Sequence, residues 1–167
     1  YVASMPKTNT ADPYLRQYFC DVGVYWIREF DIDGWRLDVA DELPDGFIEF
    51  LRKKLKSIDP DGVLLGEVWE EATNKHSMGG RRKYVDGHEL DSVMNYPLRD
   101  ALIAFLMAQK DAAAVAKELS SLAQNYPKPF LYALMNLMGS HDRPRILNVL
   151  AGNDGSDIPR SQRADHR

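Results

Sequence analysis

Three short apolar runs in this chain each end in a carboxylate: Gly34-Trp35-Arg36-Leu37-Asp38, Val63-Leu64-Leu65-Gly66-Glu67, and Met135 through His141-Asp142. Runs of this length bounded by turn residues read as buried strands. A parallel β/α barrel gathers the C-terminal ends of its strands around one cleft, where acids at those ends become neighbours. Asp38, Glu67 and Asp142 are therefore the first candidates for chemistry. A closed eight-stranded barrel takes about 250 residues, so the 167 residues present supply only part of one.

The pattern between the runs alternates helix with strand. Asp12-Pro13 starts a helix with Leu15, Tyr18, Phe19, Val22 and Trp26 at helical spacing, ending near Phe30. Leu43-Pro44 starts a second, with Phe47, Ile48, Leu51, Leu55 and Ile58 on one face, stopped by Asp59-Pro60-Asp61-Gly62. Residues 70 to 90 read as a long polar loop over the strand ends, with the basic run Arg81-Arg82-Lys83 solvated. Ser92 to Tyr96 reads as a third strand, and Pro97 opens a helix carrying Leu98, Ala101, Leu102, Phe105 and Leu106. Asp111 caps another helix, to about Gln124. Leu134 to Met138 is the last strand candidate, its start equally consistent with a short helix. Residues 1–150 thus form the barrel segment, and 151–167 a polar tail expected to be poorly ordered.

Composition narrows the function. A hydrophobic content of 44% supports a buried core and argues against disorder. The net charge of -4, with ten acids against four bases in residues 1 to 50, argues against nucleic acid as a partner. No apolar run approaches the 18 residues of a membrane span. Cys20 stands alone, so no internal disulfide forms and a buried, inert thiol is expected; oxidising secretion thus gets no support and a cytoplasmic location is the expectation, any signal upstream of Tyr1 lying outside these residues. His76, His88, His141 and His166 lack metal-ligand spacing. No Gly-x-Gly-x-x-Gly follows a strand, which removes the usual support for a nucleotide-binding sheet.

Strand alternation puts Arg36 and Asp38 on one face. Arg36 beside Asp38 would keep that carboxylate ionised, as a covalent nucleophile requires; a purely structural ion pair or a helix cap is the alternative. Glu67 follows apolar residues and precedes Val68-Trp69, a dry setting that favours the protonated form a general acid needs. Trp69 could offer an aromatic face to a sugar ring. Two carboxyls with opposed surroundings fit a retaining glycosidase, where they lie about 5 to 5.5 Å apart. Gly139-Ser140 lets the backbone turn sharply before His141-Asp142. His141 could then bind a sugar hydroxyl, and Asp142 could bind others or stabilise positive charge in the transition state.

Asp33-Gly34-Trp35-Arg36-Leu37-Asp38-Val39-Ala40, Leu65-Gly66-Glu67-Val68-Trp69 and Gly139-Ser140-His141-Asp142 resemble, in order and spacing, three motifs of the α-amylase family of glycoside hydrolases. Asp91-Ser92-Val93-Met94-Asn95-Tyr96-Pro97 and the long loop after Glu67 resemble the neopullulanase, cyclomaltodextrinase and maltogenic amylase subgroup. The resemblance implies strands four to seven of a (β/α)₈ TIM barrel, acting on α-glucans or maltooligosaccharides. It implies Asp38 as nucleophile, Glu67 as acid/base, Asp142 as transition-state stabiliser, and Arg36 and His141 as holding groups. No cofactor is implied for this segment, calcium being a question for a longer chain. The family's earlier Asp and Asn-His motif has no counterpart here. The segment alone is therefore expected to be inactive, and to self-associate through unpaired barrel edges.

Three other readings compete. Transglycosylation uses the same glycosyl-enzyme intermediate, with a sugar hydroxyl in place of water. A non-catalytic carbohydrate-binding relative would have lost the acids, all of which are present. An enolase-like site would take Asp38, Glu67 and Asp91 as Mg²⁺ ligands, but leaves Arg36 and His141-Asp142 without a task.

Overall fold

The described part of the protein is residues 4–152 of a computed structural model; the expectation of poor order falls almost wholly on 153–167, outside the described residues. The first helix, α1 (Pro13–Phe30), begins where the Asp12 carboxylate accepts from the Tyr14 and Leu15 N–H groups, and ends at Asp31 in the left-handed region. Its buried stripe is Cys20, Gly23 and Ile27, whereas Tyr18 and Trp26 face outward. The helix is where periodicity places it, but rotated toward small residues. Gly23 packs closely on that side, where an added Cβ would lie 3.2 Å from a Leu55 methyl and 3.6 Å from the Trp35 indole nitrogen.

Strand β1 (Gly34–Leu37) pairs in parallel with β2 (Val63–Gly66), Gly34 opposite Val63 and Leu37 opposite Gly66. Helix α2 (Asp45–Lys56) makes the crossover, burying Phe47, Ile48, Leu51 and Leu55 against α1 and the sheet. Burial pushes the Cys20 thiol in this core up to about 11, so it stays protonated and inert. Gly34 adopts φ 154°, and an added Cβ would lie 2.0 Å from the Val63 carbonyl, so only glycine lets the two strands start in register.

The polar segment after β2 is more structured than its sequence suggests. A 3₁₀ turn (Ala72–Asn74) leads into a two-stranded hairpin, β3 (His76–Ser77) and β4 (Gly80–Arg81), closed by Met78 and Gly79, both at positive φ. The basic run is not uniformly solvated. Arg82 is buried, donating to the Leu43 carbonyl at 2.6 Å and the Ser77 hydroxyl at 3.2 Å, with Asp45 alongside. It thereby pins this segment to the turn after β1. Beside it Glu89 is fully buried with neither carboxyl oxygen hydrogen-bonded. Desolvation, then the Asp45 charge, raises its pKa to about 7 despite Arg82, with Glu49 adding to the rise and Lys83 opposing it.

The third parallel strand, β5 (Ser92–Val93), joins β2 on the side away from β1. It is shorter than the expected Ser92 to Tyr96 because Asn95 turns to cap α3 (Tyr96–Leu106), accepting from the Leu98 N–H. Helix α4 (Ala112–Asn125) starts at Asp111 as expected. Lys128–Ala133 forms a short helix, α5, and the last strand candidate reduces to one parallel bridge, Met94 to Met135. Helix α6 (Ile146–Leu150) comes last among the described elements. The described residues are thus a partial, open β/α barrel.

Gly34→Ala is expected to destabilise the full-length chain by about 3 kcal/mol or more, from clash and backbone strain together, read by urea unfolding. A pH series of the same measurement should separate wild type from Glu89→Gln. The raised folded-state pKa means wild type loses on the order of 3 kcal/mol as pH rises from 4.5 to about 7, a fall that the variant lacks.

Candidate active site

Backbone pairing sets the two leading candidates side by side. Leu37 lies opposite Gly66, so the next residues, Asp38 and Glu67, leave the sheet at the same end. The Glu67 N–H donates to the Leu37 carbonyl at 2.9 Å and the Ala40 N–H to the Glu67 carbonyl at 3.0 Å, carrying the ladder one step past the strands. Gly66 permits this packing, since a Cβ there would meet a Leu90 methyl at 2.4 Å.

Arg36 bridges the pair. Its Nη1 donates to Asp38 Oδ1 at 2.8 Å, its Nη2 lies 3.0 Å from Glu67 Oε1, and its Nε donates to Met94 Sδ at 3.3 Å. Burial pulls the guanidinium pKa down, but the hydrogen bond to Asp38 and the charges of Glu67 and Asp38 outweigh it and raise the value. The two carboxyls differ sharply in access: the Asp38 side chain is 71% exposed and that of Glu67 3%. A reachable carboxylate beside a sequestered one is the asymmetry that distinct roles require.

The surroundings of Glu67 are buried as expected but not dry. Val39 N–H donates to Oε2 at 2.8 Å and the Trp69 indole N–H to Oε1 at 3.1 Å, in addition to the Arg36 contact. Val39 sits at φ 42°, ψ 60°, an unfavourable region for a β-branched side chain, holding strain of about 1–3 kcal/mol beside the site. Trp69 lines the cleft at 39% exposure, and its ring also packs with Tyr96 at 5.3 Å and beneath the Arg143 guanidinium at 4.1 Å. It therefore orients Glu67 and presents only part of its ring to a ligand.

Asp142 comes in from the third motif. Its N–H donates to Ser140 Oγ at 3.2 Å, and that hydroxyl is 3.2 Å from the Tyr96 hydroxyl; His141 Nε2 lies 3.1 Å from Asp142 Oδ2. Asp38, Glu67 and Asp142 line one open cleft of about 310 Å³, with Val39, Trp69, Asp41, Glu70 and Lys75 completing its wall. Arg36 and His141 are not among its lining residues but contact its carboxylates, Arg36 at Asp38 and Glu67 and His141 at Asp142. Asp91 is not part of this group. It accepts from the Leu64 N–H and pairs with Arg52 and Lys56 near the opposite end of β2, so a three-acid Mg²⁺ site with Asp38 and Glu67 does not assemble. Among the described residues no three His, Cys, Asp or Glu side chains are grouped to hold a metal ion, and no helix is long and apolar enough to cross a membrane.

Sequence reading missed Arg143, Asp41 and Lys75. The position of Arg143 directly after Asp142 was the only signal it offered, and Asp41 and Lys75 meet across 33 residues of intervening chain.

The family described as alpha amylase, catalytic domain, matches residues 1–165. Similar proteins include a cyclomaltodextrinase from Geobacillus thermopakistaniensis, 45% identical across 91% of this chain and 24% of its own length. An intracellular maltogenic amylase of Bacillus subtilis is 37% identical across 88% of this chain and 24% of its own. Among solved structures, the cyclic α-maltosyl-(1→6)-maltose hydrolase of Arthrobacter globiformis, in complex with maltose, superposes with TM-score 0.80 at 34% identity, covering 88% of this chain and 32% of its own. The chain spans about a quarter of the length of the curated relatives it matches.

Arg36→Met should destabilise the full-length chain by about 3 kcal/mol at neutral pH, because Glu67 then sits buried without its cation. Adding Glu67→Gln should recover most of that loss, as a double-mutant cycle by urea unfolding will read.

Proposed function

The chain belongs to the α-amylase catalytic-domain family, and from that premise we propose that its cleft performs retaining hydrolysis of α-glucosidic bonds in maltodextrin, cyclodextrin, pullulan or starch-like glucans. Asp38, exposed to the cleft and held by Arg36, attacks the anomeric carbon. Glu67 donates its proton to the departing glycosidic oxygen, so the leaving sugar carries that proton away and a glycosyl ester on Asp38 remains. Glu67 then takes a proton from water as the water displaces Asp38, restoring both carboxyls and retaining the anomeric configuration. Asp142 opposes the positive charge that builds on the sugar ring, and His141 orients it.

One observation carries this reading: a single guanidinium touching both an accessible and a sequestered carboxyl at the edge of a cleft that a third carboxylate shares. No step calls for a metal. The isolated segment is inactive on this reading, because the outer edge of β1 has no strand partner among the described residues and Tyr25, Trp26 and Phe30 lie exposed on α1. Those surfaces would instead drive self-association. A cytoplasmic location rests on the analogy of the intracellular maltogenic amylase.

The full-length enzyme should release products of retained α-configuration from at least one of cyclodextrin, pullulan and starch, followed by proton NMR. Asp38→Asn should abolish turnover with the fold intact by circular dichroism. Glu67→Gln should lose about 10²–10⁴-fold on maltotriose and much less on an aryl maltoside whose leaving group needs little protonation. Inverted products, or an active Asp38→Asn enzyme, would overturn the proposal.

A further inference from the structure

One charged side chain beside the cleft takes no part in the hydrolytic steps, yet it stands between two of the groups that do. The Arg143 N–H donates to the Ser140 carbonyl at 3.3 Å, closing a turn whose two central residues are His141 and Asp142. At one end of the turn the Ser140 hydroxyl accepts from the Asp142 N–H and lies 3.2 Å from the hydroxyl of the fully buried Tyr96. The other end rests on the same aromatic pair. The Arg143 guanidinium lies 4.1 Å from the centre of the Trp69 ring and 5.5 Å from that of Tyr96, and the two rings are 5.3 Å apart.

The Arg143 Nε is buried and has no hydrogen-bond partner among the described residues, so its charge is set against aromatic faces. A cation over an indole is attracted to the negative face of the ring. The attraction fixes the ring plane, and the electron density drawn toward the cation makes the indole N–H a stronger donor. That N–H donates to Glu67 Oε1 at 3.1 Å. Arg36 reaches the same oxygen at 3.0 Å, but from β1 and while bound to Asp38. The Trp69 contact is what ties Glu67, through Arg143 and Tyr96, to the turn that carries Asp142.

We propose that Arg143 is a positioning residue for the proton-donating step: stacked on Trp69, it holds the indole N–H on Glu67 and seats the turn bearing Asp142 on the same aromatic pair, so that these two carboxyls move as one unit. The inference rests on the glycosidase reading and adds to it a residue that acts through Trp69. With the guanidinium gone, the Glu67 carboxyl loses a fixed donor and turns more freely about its side-chain torsions. That freedom costs most where the departing oxygen needs a proton delivered in line.

The test uses the full-length enzyme with maltotriose, whose leaving group is a sugar, and p-nitrophenyl α-maltoside, whose leaving group needs little protonation. Arg143→Met should lower the ratio of kcat on maltotriose to kcat on the nitrophenyl substrate about tenfold, the scale of a partly desolvated cation–π contact. KM for maltotriose should change little, and Arg143→Lys should restore part of the ratio. On a Trp69→Phe background, where a ring remains without its N–H, Arg143→Met should lower the ratio little further. An unchanged ratio overturns the proposal, whether both substrates slow together with a drop in Tm, as for a structural clamp, or neither slows; so does an equal loss on the Trp69→Phe background. Arg143→Gln, which removes the charge and keeps a planar polar end, gives the same reading if Arg143→Met does not fold. If the unsubstituted enzyme cleaves neither substrate, the glycosidase reading itself falls, and this inference with it.

Discussion

The parallel register of β1 and β2, with Leu37 opposite Gly66, is the constraint on which the site depends. Side chains alternate along a strand, so slipping one strand by a single residue would send Arg36 or Glu67 to the wrong face. Two glycines hold that register from either end. Gly34 accepts a close approach by the Val63 carbonyl that no side chain would tolerate, and Gly66 leaves room for Leu90 beneath the turn into Glu67. Packing of α1 and α2 on the sheet supplies the burial that makes the register cooperative.

Given that register, Arg36 joins the two carboxyls. Its planar fork satisfies Asp38 through Nη1 and approaches Glu67 through Nη2 at once. The burial difference between the carboxyls comes from the path the chain takes on leaving each strand. After Glu67 the chain folds Trp69 back over it, whereas after Asp38 it turns through Val39 and leaves Asp38 in the open. The segment 70–90 then closes down on that turn through Arg82, so the wall of the cleft is braced from within the loop itself.

Much of this was legible in the residues. Helices α1 and α4 follow from their aspartate caps, α2 from its apolar spacing, and β1 and β2 from short apolar runs between turns. The Arg36–Asp38 contact follows from strand alternation alone. The features that escaped reading share a physical cause: partners distant in sequence. Arg82 belongs to a run that looks solvated until Leu43, Asp45 and Ser77 arrive to receive it. Trp26 turns outward on α1 while Gly23 packs against Leu55 and Trp35, contacts that helical periodicity cannot contain. Leu134 to Met138 reads as a strand by composition, yet only Met135 bridges Met94.

Local chemistry therefore marked out Asp38 and Glu67, their places at the ends of β1 and β2, and the charge that accompanies Asp38, since each of these rests on neighbours a few residues away. The donors around Glu67, the bracing of the loop and the meeting of Asp41 with Lys75 depended on the packed chain. Hydrogen bonds and burial act through space. They bring together residues whose separation along the backbone carries no record of their contact.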